Sequence, residues 1–310
     1  MKTANSVNDF MELIKARLSL LVLITTLVGF LLGWNGPLDY LLLGATLFGT
    51  ALSACGASAL NQWWERALDA LMKRTEDRPL PAKRLHPRDA LLFGLLCCFV
   101  GTALLFFFVN VLAALLAAAT IIIYVLVYTP MKRRTTLNTL LGAIPGALPP
   151  LIGWAGATND IGVGGAVLFL ILWFWQMPHF LAIAWLYRED YASAGFRMLS
   201  VDDPQGFMTS RQALLYALGL LAVSLLPTLL GMASPFYFVA ALILGILFAL
   251  TAFFFVRDRT RKNARVLFFT SIIYLPLILG ALVIFKSSTL KPFNASTFQQ
   301  LRSSVQPSSP

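Results

Sequence analysis

The chain alternates long apolar runs with short polar stretches. Nine of the runs are long enough to cross a bilayer, at roughly 18–36, 38–60, 89–109, 111–129, 137–155, 161–186, 212–232, 235–256 and 265–285. About 20 helical residues at ~1.5 Å each cover ~30 Å of hydrocarbon, so each run predicts one membrane-spanning helix. The pattern therefore predicts an all-α polytopic membrane protein. A single transmembrane domain is expected over 1–286 and a flexible tail over 287–310. Span five, "LNTLLGAIPGALPPLIGWA", carries Pro145, Pro149 and Pro150. These predict a kinked or broken helix, tolerated only where neighbouring helices satisfy the freed carbonyls.

Composition agrees. The 310 residues are 58% hydrophobic and 12% charged, against ~25% charged in soluble domains. No polar segment is long enough to build a separate water-soluble domain. The charges sort by loop. Segments 1–17, 61–88, 130–136, 187–211 and 257–265 hold 3, 7, 3, 3 and 5 Lys or Arg, which is 21 of the 24. The connections "NGP", "GATND" and "GMAS" hold none. The positive-inside rule then places the N-terminus in the cytoplasm and the C-terminus outside. The net charge of +10 reports this orientation and not a nucleic-acid partner. The first residues show neither a signal-cleavage pattern nor an Arg- and Ser-rich transit segment, so a bacterial inner membrane is the expected address. Cys55, Cys97 and Cys98 lie in apolar runs and read as small buried hydrophobes, not as a disulfide or zinc set.

The stretch "NQWWERALDALMKRTEDRPLP", Asn61–Pro81, departs from this economy with eight charged side chains in twenty-one residues. Asn61, Glu65 and Asp69 recur at i, i+4, i+8. If the second helix continues through them they form one stripe of oxygen ligands at its cytoplasmic end. Such a stripe suits Mg²⁺, which takes carboxylates together with substrate phosphates. Lys73, Arg74 and Arg78 follow one to two turns later and are suited to phosphate oxygens. The plainer reading is a solvated juxtamembrane helix with i,i+4 charge pairs.

Three further stretches carry candidate chemistry. After span six, Tyr187, Asp190 and Tyr191 are spaced to share one side of a helix. Within that span, "WQMPHF" places Gln176 and His179 at membrane depth, where a histidine is costly unless it faces a partner, a cavity or a ligand. At the start of span five, "YTPMKRRTTLN" offers Lys132 and Arg133, which topology alone would also place there. The basic run "RDRTRKNAR" at 257–265 reads as a topology anchor or a lipid-headgroup contact.

The run N-x-x-x-E-x-x-x-D-x-x-M-x-R-T-x-x-R-P-L resembles the first aspartate-rich motif of the membrane-embedded prenyltransferases, the UbiA superfamily. "DYASAGFRML", Asp190–Leu199, resembles the second motif in its haem O synthase branch, and "WQMPHF" resembles a run of that branch. Glu65 stands where the superfamily often has Asp, and Ala67 where it often has another. The resemblance implies farnesyl transfer from farnesyl diphosphate to a vinyl group of haem B, giving haem O. It assigns Asn61, Glu65, Asp69 and Asp190 to metal, with Tyr187 and Tyr191 beside them. Lys73, Arg74, Arg78, Lys132 or Arg133 would grip diphosphate. Gln176 and His179 would face haem, near the iron or against the porphyrin. Mg²⁺ is the implied cofactor and a haem A synthase a possible recipient of the product. The rival readings are a prenyltransferase for an aromatic quinone precursor and a non-catalytic haem transporter or assembly factor. The acidic and basic residues sit at one membrane face in two loops, which suits a metal-diphosphate better than a transport path.

Overall fold

A computed structural model describes residues 6–287. Nine helices among the described residues are long and apolar enough to cross a membrane. They are α1 (Ala16–Gly33), α2 (Tyr40–Asp69), α3 (Pro87–Phe108), α4 (Val111–Met131), α5 (Asn138–Thr158), α6 (Gly162–Leu186), α7 (Phe207–Leu229), α8 (Pro235–Arg257) and α9 (Arg261–Ile284). The only β-bridge among these residues is an isolated antiparallel one between Ala233 and Lys286. Apart from Ser287, the tail expected from 287 onward lies outside the described residues.

Helix starts follow local chemistry. Asp39 Oδ1 accepts from the amides of Leu41 and Leu42 and caps α2. Asn110 caps α4 through the Ala113 amide, and Pro87 opens α3 at the first turn. α2 has 30 residues, about 45 Å at ~1.5 Å each, which exceeds a ~30 Å hydrocarbon layer. Its polar C-terminal turns therefore leave the membrane core and bring Asn61, Glu65 and Asp69 to one end of the bundle.

α5 is the central helix. In its membrane window 72% of residues are buried, against 22% for α4, and its hydropathy of 1.3 is the lowest of the nine. A helix surrounded by protein has no need of a lipid-compatible surface. Of the kink or break expected at Pro145, Pro149 and Pro150, the break is not found: α5 runs unbroken over Asn138–Thr158. Packing against α1, α4 and α6 supports it where the prolines remove backbone donors. α1 and α5 approach at backbone distance. A methyl group at Gly29 would overlap the carbonyl oxygen of Pro150, and one at Gly153 would overlap that of Thr26. Small residues permit this contact where lipid supplies no hydrophobic drive. Gly29→Ala is expected to destabilise the bundle by about 1–3 kcal/mol. Gly44→Ala, with open space around its added methyl, is expected to be neutral. Thermal unfolding of the two variants in detergent makes the comparison, and equal midpoints would contradict the packing argument.

Candidate active site

Asn61, Glu65 and Asp69 share one face of α2 and are 1%, 4% and 1% exposed. A buried carboxylate needs a partner, and both have one. Glu65 receives the Lys132 ammonium at 2.7 and 3.0 Å on its two oxygens. Asp69 Oδ2 receives the Arg78 guanidinium at 2.8 Å. The Asn61 amide is fully used. Its Nδ2 donates to Glu65 Oε2 and to Thr129 Oγ1, both at 3.0 Å. Its Oδ1 accepts from Lys15 Nζ at 2.9 Å and from the Tyr124 hydroxyl at 3.3 Å. These four contacts fix which way the amide points.

The α4 side of this network depends on a wide helical turn. From Ile123 to Tyr128 the chain winds as a π-helix, a form that often marks functional sites. The Thr129 amide and hydroxyl both return to the Tyr124 carbonyl. This holds Thr129 against Asn61 and stacks the Tyr124 and Tyr128 rings 5.7 Å apart.

Lys15 is one of the site residues that sequence reasoning missed, with Tyr124, Thr129 and Ser271. It lies between the short helix Ser6–Leu13 and α1, with φ 50° and ψ 54°. A non-glycine residue in this left-handed region is uncommon, and such outliers gather at functional sites. Burial, with the charges of Arg78 and Lys132 nearby, pushes its ammonium down to about 7. An anion arriving beside it would draw the proton back. Burial also pulls Lys132 down, but the Glu65 carboxylate more than offsets this and leaves Lys132 above the ordinary lysine range.

These groups close one end of a cavity of about 440 Å³, within the ~300–1,000 Å³ of ligand sites. Its body is apolar, with Val22, Ile121, Ile152, Leu172 and Leu275 on the wall. Of the residues singled out in the sequence, Asn61, Glu65, Asp69, Arg74, Arg78, Lys132, Gln176, His179 and Tyr191 line it. Lys73 and Arg133 are exposed, and they, Tyr187 and Asp190 are not on its wall. Of Lys132 and Arg133, Lys132 lines the cavity and Arg133 does not.

The second loop departs from its expected form. α6 ends at Leu186, Tyr187 turns the chain at φ −113° and ψ 24°, and a separate short helix runs over Arg188–Ser193. Tyr187, Asp190 and Tyr191 therefore do not extend one continuous helix. The loop presents aromatic rings to Arg74, whose guanidinium carbon lies 5.3 Å from the Tyr187 ring and 5.7 Å from the Tyr191 ring. The same guanidinium donates to the Tyr191 hydroxyl at 3.4 Å.

At the far side of the cavity, Gln176 Nε2 donates to Leu172 O at 3.0 Å and Ala143 O at 3.4 Å, tying α6 to α5. The His179 ring lies between Trp175, at 5.2 Å and 20°, and Phe268, at 5.0 Å and 26°. Its Nδ1 is 2.7 Å from Ser271 Oγ. The single hydroxyl proton of Ser271 goes to Phe268 O at 2.5 Å. With that proton on Phe268 O, Oγ accepts from Nδ1–H, the tautomer in which Nε2 keeps its lone pair.

The donor set has the chemistry of a Mg²⁺ site. Two carboxylates and an amide oxygen lie on one buried helix face, and hard oxygen donors are what the ion takes. Among the described residues no three His, Cys, Asp or Glu side chains converge as a metal site. An ion here would draw its remaining ligands from phosphate oxygens or water. Lys132 occupies both Glu65 oxygens, Arg78 one Asp69 oxygen, and Lys15 with Tyr124 the Asn61 oxygen, so the residues fit on those terms with these contacts exchanged for the ion.

The model of the UbiA prenyltransferase family matches residues 22–273. The protoheme IX farnesyltransferase of Solibacter usitatus is 44% identical over 285 residues, covering 89% of this chain and 98% of that one. That of Opitutus terrae is 46% identical over 278 residues, covering 89% and 94%. Among solved structures, a digeranylgeranylglyceryl phosphate synthase superposes with a TM-score of 0.76 at 17% identity, covering 90% of this chain and 98% of that one. A UbiA homolog from Archaeoglobus fulgidus bound to GPP and Mg²⁺ gives 0.64 at 16%, covering 88% and 99%. At such identities the structures speak for the fold alone. The sequence matches span nearly the whole bundle and include both polar loops, so the chain belongs to the UbiA prenyltransferase family.

Proposed function

We propose that this protein transfers a farnesyl group from farnesyl diphosphate to a vinyl group of haem B and so makes haem O. The observation that carries this is the 44% identity with a protoheme IX farnesyltransferase across 98% of that protein's length. Lys15, Arg74, Arg78 and Lys132 gather at the charged end of the cavity and bind the diphosphate oxygens. Asn61, Glu65 and Asp69 would hold Mg²⁺ there. When bound, the ion neutralises charge growing on the departing diphosphate. Tyr187 and Tyr191 keep Arg74 in place. The farnesyl C1–O bond breaks and its electron pair leaves on diphosphate. The vinyl π pair then bonds to C1. The cation left on the haem side takes water, which releases a proton. The Tyr124 and Tyr128 rings line the cavity, stacked on each other with Lys15 and Lys132 over them, and with these ammonium groups turned to diphosphate they would offer their π-systems to the allylic cation. The apolar body of the cavity holds the farnesyl chain and keeps water from C1.

The alternating basic loops support a bacterial inner-membrane setting, with the N-terminus and the charged end of the cavity on the cytoplasmic side. A haem A synthase is a fitting recipient of the product. Incubating the purified protein with haem B, farnesyl diphosphate and Mg²⁺, then analysing the haem by mass spectrometry, tests the reading. Farnesylated haem is expected. Its absence, or transfer to a phenolic acceptor in its place, would reject the assignment.

Lys15 carries a separate expectation. Lys15→Met should lower kcat/KM for farnesyl diphosphate by about 10–10²-fold, the loss of one charge-assisted contact. Lys15→Arg should recover part of it. Steady-state kinetics with varied farnesyl diphosphate decides, and an unchanged kcat/KM in Lys15→Met would remove Lys15 from the site.

A further inference from the structure

Three arginines converge where α6, the α8–α9 loop and α9 meet at the membrane face. Arg188, Arg259 and Arg261 line a cavity of about 90 Å³ together with Trp185, Leu186 and Glu189. It is separate from the large cavity, which has none of these six residues on its wall. Each guanidinium touches the protein, with Arg188 and Arg259 partly buried and Arg261 exposed. Arg188 lies 4.5 Å from the Trp185 ring and donates to Pro204 O at 3.1 Å. Arg259 lies 4.1 Å from the Phe207 ring and donates to Val256 O at 2.9 Å. Arg261 donates to Leu186 O at 2.9 Å.

Simple topology anchors would need none of this. They work by exposing charge to water and headgroups. Here rings and carbonyls fix three like charges around one small space, and each arginine uses a single hydrogen-bond donor of its five. None of the three forms an ion pair among the described residues. Glu189 is the one acid on the wall. An anion would relieve the mutual repulsion and take the idle donors. The volume equals that of about three waters at ~30 Å³ each, enough for a phosphate group and too little for a porphyrin or a prenyl chain. The adjoining surfaces of α8 and α9 are apolar and exposed, with Phe253, Phe254, Val266 and Phe269 at 50%, 48%, 45% and 59%.

We propose that this arginine pocket binds the phosphate of an anionic phospholipid, whose acyl chains lie along α8 and α9. Native mass spectrometry of the detergent-purified protein, with phosphatidylglycerol or phosphatidylcholine added, tests this. The wild type is expected to retain one phosphatidylglycerol in preference to phosphatidylcholine. Arg188→Gln with Arg261→Gln should cut that preference roughly tenfold. Lysines at the same two positions keep the charge and should keep most of the preference, which separates charge loss from misfolding. Three results would overturn the proposal: equal retention of the two lipids by the wild type, equal loss in the Gln and Lys pairs, or an unchanged preference in the Gln pair. A fourth arm uses inorganic phosphate alone. If it binds at the arginines while phosphatidylglycerol does not, the lipid assignment falls.

Discussion

Asp69→Asn is expected to lower farnesyl transfer by about 10²–10³-fold, the scale on which removing one preorganised charge contact to a developing anion is felt. Asn keeps the shape of the side chain and one oxygen but removes the charge that would hold a cation. Asp69 is 1% exposed and pairs with Arg78 at 2.8 Å. The substitution therefore changes two things: the ion loses a ligand, and Arg78 loses the group that aims it. Arg78→Ala should cost a similar factor from the phosphate side. Because the two act as a unit, the double variant should fall little below either single one. Arg78 is partly exposed, so water softens the cost of leaving it unpaired, and both variants should remain folded. Turnover measured by mass spectrometry, beside thermal unfolding, gives both readings. Wild-type turnover in the two single variants would remove this pair from the chemistry.

Much of this end of the molecule is legible in the sequence because its signals are local. Spacing of i, i+4, i+8 puts Asn61, Glu65 and Asp69 on one face whatever lies around them, provided the helix continues, and α2 does continue through Asp69. The nine spans and the alternation of basic loops are likewise properties of consecutive residues. What escaped depends on partners far away in sequence or on backbone geometry. Lys15 reads as one more topology charge, and only its left-handed backbone turns it toward Asn61, 46 residues on. The π-turn at 123–128 has no marker in an apolar run, yet it sets Thr129 against Asn61. The three prolines of span five suggest a break because the rule about lost donors is local, while the burial that sustains α5 comes from its neighbours. Ser271 had no signal of its own. A serine in an apolar span is common, and its meaning comes from a histidine 92 positions earlier.

That histidine gives the second large effect. His179→Ala is expected to change the absorption spectrum of the haem B complex and to weaken haem binding. The chain of contacts leads to this. With the Ser271 proton on Phe268 O, Ser271 Oγ takes Nδ1–H and Nε2 keeps a lone pair on a ring that lines the cavity. Trp175 and Phe268 hold the ring from either side, and the Trp175 indole is itself tied to Ser271 O at 2.7 Å. A neutral imidazole with one nitrogen fixed by a hydrogen bond and the other bare is how proteins present histidine to iron. Ser271→Ala tests the positioning separately. It leaves the ring in place between its neighbours but frees the tautomer and strands a buried Nδ1–H, a loss of about 1–3 kcal/mol. Haem affinity should then drop by about tenfold or more, at ~1.4 kcal/mol for each factor of ten, with a smaller spectral change than in His179→Ala. Ser271→Thr, which restores a hydroxyl, should recover most of the affinity. Titrating ferric haem B into the three variants and reading the Soret band separates the cases. A spectrum identical to wild type in His179→Ala would sink ligation through Nε2 and leave His179 as a porphyrin contact. An effect in Ser271→Ala that Ser271→Thr fails to repair would mean the serine acts through packing and not through its proton.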